Sequence, residues 1–145
     1  MMRKYIYIIM SVLVLSITSA SARKVAVPRM YMFGMAAAFT DTIVHFTNIQ
    51  TLDSVWIESK NKFLQNREEY SLQLKQYLSQ QQQMNNRTCI VFYAEKREKL
   101  EKKYLKMKAL YDKEGKDGIK HFDVRYIPDS NFKFKTIKVD PGDAQ

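Results

Sequence analysis

Residues 30–50, MYMFGMAAAFTDTIVHFTNIQ, decide how the rest of the chain is arranged. Tyr31, Phe33 and Met35 alternate with Met32, Gly34 and Ala36, and both sets are apolar or small. That pattern predicts a strand covered on both faces, although a short helix over 35–39 has the same apolar content. Thr42 to Thr47 is rich in β-branched and aromatic residues, with Val44 and Phe46 on one face and Ile43, His45 and Thr47 on the other. The connection Ala38-Phe39-Thr40-Asp41 is short enough for an antiparallel pair, without the Asn-Gly pair of a tight hairpin. Gly34, Ala36, Ala37 and Ala38 are small enough to let another backbone or a ligand come close.

Downstream, Asp53 and Ser54 can each accept a backbone N–H and start a helix. Trp56, Ile57, Phe63 and Leu64 then recur near the helical period. Asn66 with Glu69 reads as a capping box opening a second helix, whose apolar stripe is Tyr70, Leu74, Tyr77 and Leu78. Its end, Ser79 to Gln83, is glutamine-rich and polar. Arg87 to Tyr93 reads as a central strand, with Cys89, Val91 and Tyr93 on one face and Thr88, Ile90 and Phe92 on the other. The next helix, about 95–113, carries Leu100, Tyr104, Met107 and Tyr111 along one side, with Glu95–Lys99 and Glu98–Lys102 as i,i+4 pairs. Gly115 and Gly118 stop it. Phe122 to Ile127 predicts a last strand ended by Pro128, and Phe132-Lys133-Phe134-Lys135 an edge strand or docked tail.

This order implies an α/β fold, a small mixed sheet of about four strands with helices packed against it, with α+β as the alternative. If the third and fourth strands are parallel neighbours, the helix between them is a right-handed crossover.

The chain has 145 residues. Arg3 and Lys4, the apolar run Tyr5 to Leu15, and the small residues Ala20-Ser21-Ala22 predict a secretory leader over 1–22. That apolar run is shorter than the roughly 20 residues a membrane span needs. Residues 23–145 are then one exported domain, periplasmic or secreted, with a tail from about 128 and no transmembrane span. Cys89 is the sole cysteine, so no internal disulfide forms, and its apolar neighbours Ile90 to Tyr93 suggest a buried, inert thiol. The leader holds two of the 24 basic residues and none of the 15 acidic ones, which leaves the remainder at +7. Such a charge suits acidic partners and solubility without naming a ligand.

No Gly-x-Gly-x-x-Gly fingerprint, Walker loop or Gly-x-Ser-x-Gly elbow occurs, so neither nucleotide nor acyl chemistry has support. Two histidines and one cysteine far apart do not suggest a zinc site, and no cofactor or metal is expected. The candidate binding residues are Gly34, Thr40, Asp41, Thr42 and His45. Thr40, Asp41 and Thr42 would form the lip of a pocket floored by the small residues, or Asp41 would simply hydrogen-bond its own turn. A Cys89–His dyad requires the fold to bring the two side chains together. The second candidate is a basic face, Lys96, Lys99, Lys102, Lys103 and Lys106, which is either a solvated helix face or a contact for an acidic polymer. Export makes nucleic acid a poor match for it, and phosphate contacts would be strongly salt-dependent.

The segments YMFGMAAAFTDTIVHFTNIQTLDSVWIESKNKF and NRTCIVFYAEKREKLEKKYLKMKALY resemble a family of short exported proteins of Bacteroides-type bacteria, a family of unknown function. The resemblance brings no catalytic residues. It does imply that Asp41-Thr42-Ile43 and Asp53-Ser54-Val55 are similar to the O-glycosylation acceptor pattern of exported proteins in such bacteria. The function expected is non-catalytic binding of an acidic envelope component or protein partner through the basic face. The alternatives are a small hydrolase with Asp41 and His45 at its cleft, and an interaction subunit that pairs through residues 132–139.

Overall fold

The computed structural model describes residues 23–140 and 142, so the leader expected over 1–22 and most of the terminal Pro141-Gly142-Asp143 stretch lie outside the described residues. Strand β1, Lys24–Ala37, runs through the middle of a five-stranded mixed sheet. It is longer than its apolar core suggests because its first half also finds a partner. β2, Ile43–Thr47, and β3, Gln50–Glu58, both run antiparallel to β1 along the same edge. They are effectively one long strand broken once. Between the pairs Met32–Gln50 and Met35–Phe46, β1 has two residues and its partner has three, which is a bulge at Asn48-Ile49.

β3 corrects the helix expected from Asp53. Leu52, Val55 and Ile57 are buried in the core, and Val25 to Val27 pair with 55–57, so tertiary pairing overrides a weak helical spacing. Ser54 does leave the extended region, with φ 56°, opposite Pro28. Helix α1, Arg67–Gln82, begins where Asn66 and Glu69 indicate, but no capping box forms. Asn66 takes a left-handed conformation, and its carbonyl accepts the N–H groups of Glu69 and Tyr70. β4, Thr88–Ala94, pairs antiparallel with the second half of β1 on the edge opposite β2 and β3. It is an edge strand, not the central one its apolar faces suggested. Those faces are apolar because a helix covers each side of the sheet.

Helix α2, Arg97–Asp112, follows, and its i,i+4 ion pair is Arg97–Glu101 at 2.8 Å. After Gly118, in the left-handed region with φ 75°, the chain enters β5, Asp123–Ile127, which runs parallel to β2. The predicted neighbours β4 and β5 are therefore separated by β1 and β2.

Alternation along β1 divides the core. Met30, Met32 and Ala36 face Tyr70, Leu74 and Leu78 of α1, together with Phe132 and Phe134 of the tail. Phe33 and Met35 face Leu100, Tyr104, Met107 and Tyr111 of α2. The two crossovers explain this arrangement. β3–α1–β4 carries the chain across β1 one way, and β4–α2–β5 carries it back, so crossovers of one hand must put their helices on opposite faces. Among the described residues no helix is long and apolar enough to cross a membrane.

Candidate functional site

The β1–β2 turn places Thr40, Asp41 and Thr42 at an exposed end of the sheet. Asp41 Oδ1 accepts the Ile43 N–H at 2.9 Å, closing the turn on itself. The same carboxylate is gripped by Arg87, which precedes β4 and is 3% exposed. Arg87 Nη1 donates to Asp41 Oδ1 at 2.9 Å and to the Ile43 carbonyl at 2.8 Å. The Ile43 N–H, helped by the Arg87 guanidinium and opposed by desolvation, holds the Asp41 carboxyl below its ordinary value. Asp41 thus ties the hairpin turn to the start of β4. Sequence reading missed Arg87, since a lone arginine beside Asn85-Asn86 gives no sign that it will be buried.

His45 is 5% exposed, and its enclosed Nδ1 has no hydrogen-bond partner. Burial pushes its pKa down, and the cations Arg87 and Arg125 push further, so the ring is neutral at neutral pH. His45 and Cys89 both pair with Ala36, from opposite edges of β1. Two strand spacings, about 10 Å, separate their backbones, so the dyad does not form. Burial also pushes the Cys89 thiol up to about 11, far from a nucleophile's range.

Gly34 belongs to neither group. An added Cβ would lie 2.6 Å from Leu74 Cδ2 and 3.0 Å from Phe134 Cζ. Its N–H, facing the bulge, donates to Thr47 Oγ1 at 2.8 Å. The space the small residues leave is filled by α1 and the tail, and Gly34 is not the floor of a pocket below Thr40–Thr42. The tail itself is docked, not paired as a strand. Gln50 donates to the Phe132 carbonyl and accepts the Phe134 N–H, both at 2.8 Å, and Gln73 treats the Lys135 carbonyl and N–H in the same way at the same distance.

The open space lies elsewhere, along β4. A cleft of about 1060 Å³ is bounded by Cys89 to Ala94, by the approach to α1 and its first turns, and by the first turns of α2. Lys62, Arg67, Lys96, Lys99 and Lys103 line it, against Glu68 and Glu95. No carboxylate pairs with any of the five cations among the described residues. Arg67 lies over the exposed Phe63 ring, and Lys103 over Phe92, each at 4.9 Å. Of the expected basic face, Lys96, Lys99 and Lys103 therefore meet at the cleft, while Lys102 and Lys106 are exposed on α2 outside its lining. Lys62 and Arg67 come from a segment that sequence reading assigned no role, because nothing local shows that β4 will stand between the two helix starts.

No set of three metal-ligating side chains lies together among the described residues. No family model, curated protein or solved structure matches the chain.

Proposed function

We propose that this chain is an exported, non-catalytic binding protein that holds an acidic partner in the cleft along β4. The observation that carries the reading is the ring of five cations without carboxylate partners around that cleft. Lysines on a helix face are ordinarily just solvated, but here two separate elements aim cations at one concave surface. Low-dielectric walls strengthen such a field over that of the same charges on a flat face. The polar groups expected to do chemistry are occupied otherwise. Asp41 is held by Arg87, and the half-buried Cys89 thiol is pushed up to about 11. Export of the protein, and an envelope setting for its partner, rest on residues 3–22 as a reading of sequence.

The test is retention of the purified protein on immobilised poly-L-glutamate. Retention should weaken as salt rises, because screening removes the attraction. The triple variant K96E/K99E/K103E should elute at clearly lower salt than K133E/K135E/K138E, which makes the same charge change on the tail. Equal elution of the two variants, or no retention of the wild type, would refute the reading.

A further inference from the structure

Three of the described strands lie at the margins of the sheet, and they are not alike; the end of β3 is already covered by residues 63–65, with Leu64 bridging Ile57. β3 carries Asp53 and Glu58, and β5 carries Asp123 and Arg125, joined as an ion pair at 2.8 Å. Charges on edge strands discourage pairing with other chains. β4, Thr-Cys-Ile-Val-Phe-Tyr-Ala, has no charged residue, no proline and no glycine. Ile90 is left 44% exposed on it. A seven-residue apolar edge of this kind invites another strand, and natural proteins usually blunt it.

The direction of its backbone groups follows from β1. The Gly34 N–H points away from β4, toward Thr47. N–H and C=O groups alternate sides along a strand, so Phe33 and Met35 face β4 and exchange hydrogen bonds with their register partners Phe92 and Ile90. The N–H and C=O groups of Cys89, Val91 and Tyr93 therefore face outward, into the cleft. No described strand pairs with them.

We infer that β4 accepts an extended acidic polypeptide segment as a sixth strand, hydrogen-bonded to Cys89, Val91 and Tyr93. The inference rests on the cleft reading above and names its partner. Seven residues of β4 offer roughly 24 Å of edge. An added strand would point alternate side chains to the α1 side, toward Lys62 and Arg67, and to the α2 side, toward Lys99 and Lys103. A second copy of this chain is the poorer occupant, because it would bring five more cations against these five. Main-chain bonds supply affinity in such a complex, and the flanking side chains supply selectivity.

The probe is a decapeptide of alternating Glu and Val, compared with the same peptide N-methylated at every second residue in each of the two phases. Binding of the parent should slow amide exchange at Cys89, Val91 and Tyr93 at least tenfold, and one or both methylated forms should bind at least tenfold more weakly. Unchanged exchange at those three amides, or equal affinity of all three peptides, would overturn the strand addition. So would failure of the peptide to bind a protein still retained on poly-L-glutamate through Lys96, Lys99 and Lys103, which leaves the acidic-partner reading standing. Protection of the three amides without peptide, together with a dimer in sedimentation, would assign the edge to a second copy and overturn the inference too. Loss of the lysine dependence on poly-L-glutamate is the separate signature of failure of the underlying reading.

Discussion

Gln50 and Gln73 make the same clamp in two different dielectrics, and truncating each to alanine measures what burial adds. Each side-chain amide donates to a tail carbonyl and accepts a tail N–H, and all four bonds are 2.8 Å. Gln50 is 5% exposed and both of its bonds are buried, whereas both bonds of Gln73 are exposed. After Gln50→Ala the Phe132 carbonyl and Phe134 N–H lose their partners where water does not reach. Each such group costs about 1–3 kcal/mol, so with some relaxation of the tail the variant should lose about 3 kcal/mol. After Gln73→Ala water takes both places, and the loss should be about 1 kcal/mol or less. Urea denaturation followed by the fluorescence of Trp56, the sole tryptophan, gives both numbers. With a slope of about 1.5–2 kcal/mol per molar, the midpoints should fall by about 1.5–2 M and by about 0.5 M. Equal shifts for the two variants would refute the argument that desolvation, rather than bond count, holds the tail.

Other perturbations test the rest of the core. Gly34→Ala gains backbone rigidity but drives a methyl into Leu74 and Phe134, so it should cost about 1–3 kcal/mol in urea denaturation, and shortening Leu74 to valine in the same chain should recover part of it. Cys89, with its thiol at about 11 against an ordinary 9.0, should react with iodoacetamide at pH 8 roughly a hundredfold more slowly than a free peptide thiol until urea unfolds the protein. His45 has a folded pKa below its ordinary 6.5, so its contribution to stability is present above pH 6.5 and is lost as the pH falls below it. His45→Leu should therefore flatten the stability profile between pH 7 and 5, measured as urea midpoints. The Asp41 pKa also lies below its ordinary 3.8, so its contribution is present above that pH and lost on further acidification, and the midpoint of Asp41→Asn should approach that of the wild type only as the pH falls below 3.8.

Periodicity made the two-sided strand at 30–37, the antiparallel strand at 42–47 and the two long helices legible, because each repeats its apolar signal over several residues. Residues 53–64 misled because Asp53 and Ser54 have the chemistry of a helix start, while the actual setting of 53–58, strand pairing with Lys24 to Arg29, depends on partners far away in sequence. The edge position of β4 was illegible for a related reason. A strand covered by helices on both faces is apolar throughout, whether or not it has two neighbouring strands. In the candidate site the lysines of α2 were legible as a run, but Lys62 and Arg67 join them only through the β3–α1–β4 crossover. Asp41 was rightly singled out as turn-forming, yet Arg87, which fixes it to β4, has no local signature.

Gly34 links these features more tightly than its size suggests. Its missing side chain lets Leu74 and Phe134 close over the sheet, which seats α1 and the tail on one face. The bulge at Asn48-Ile49 brings Thr47 Oγ1 to its N–H, so that a side chain, not a backbone carbonyl, satisfies it. The direction of that one N–H then sets which backbone groups of β1 turn toward β4, and so which groups of β4 turn outward. A shift of β4 by one residue along β1 would bury Ile90 and Phe92 on the α1 face and expose Val91 to the α2 side, exchanging a packed set for a mismatched one. The outward groups of Cys89, Val91 and Tyr93 are therefore fixed by the same packing that stabilises the core, and a ligand strand would meet an edge that needs no rearrangement to receive it.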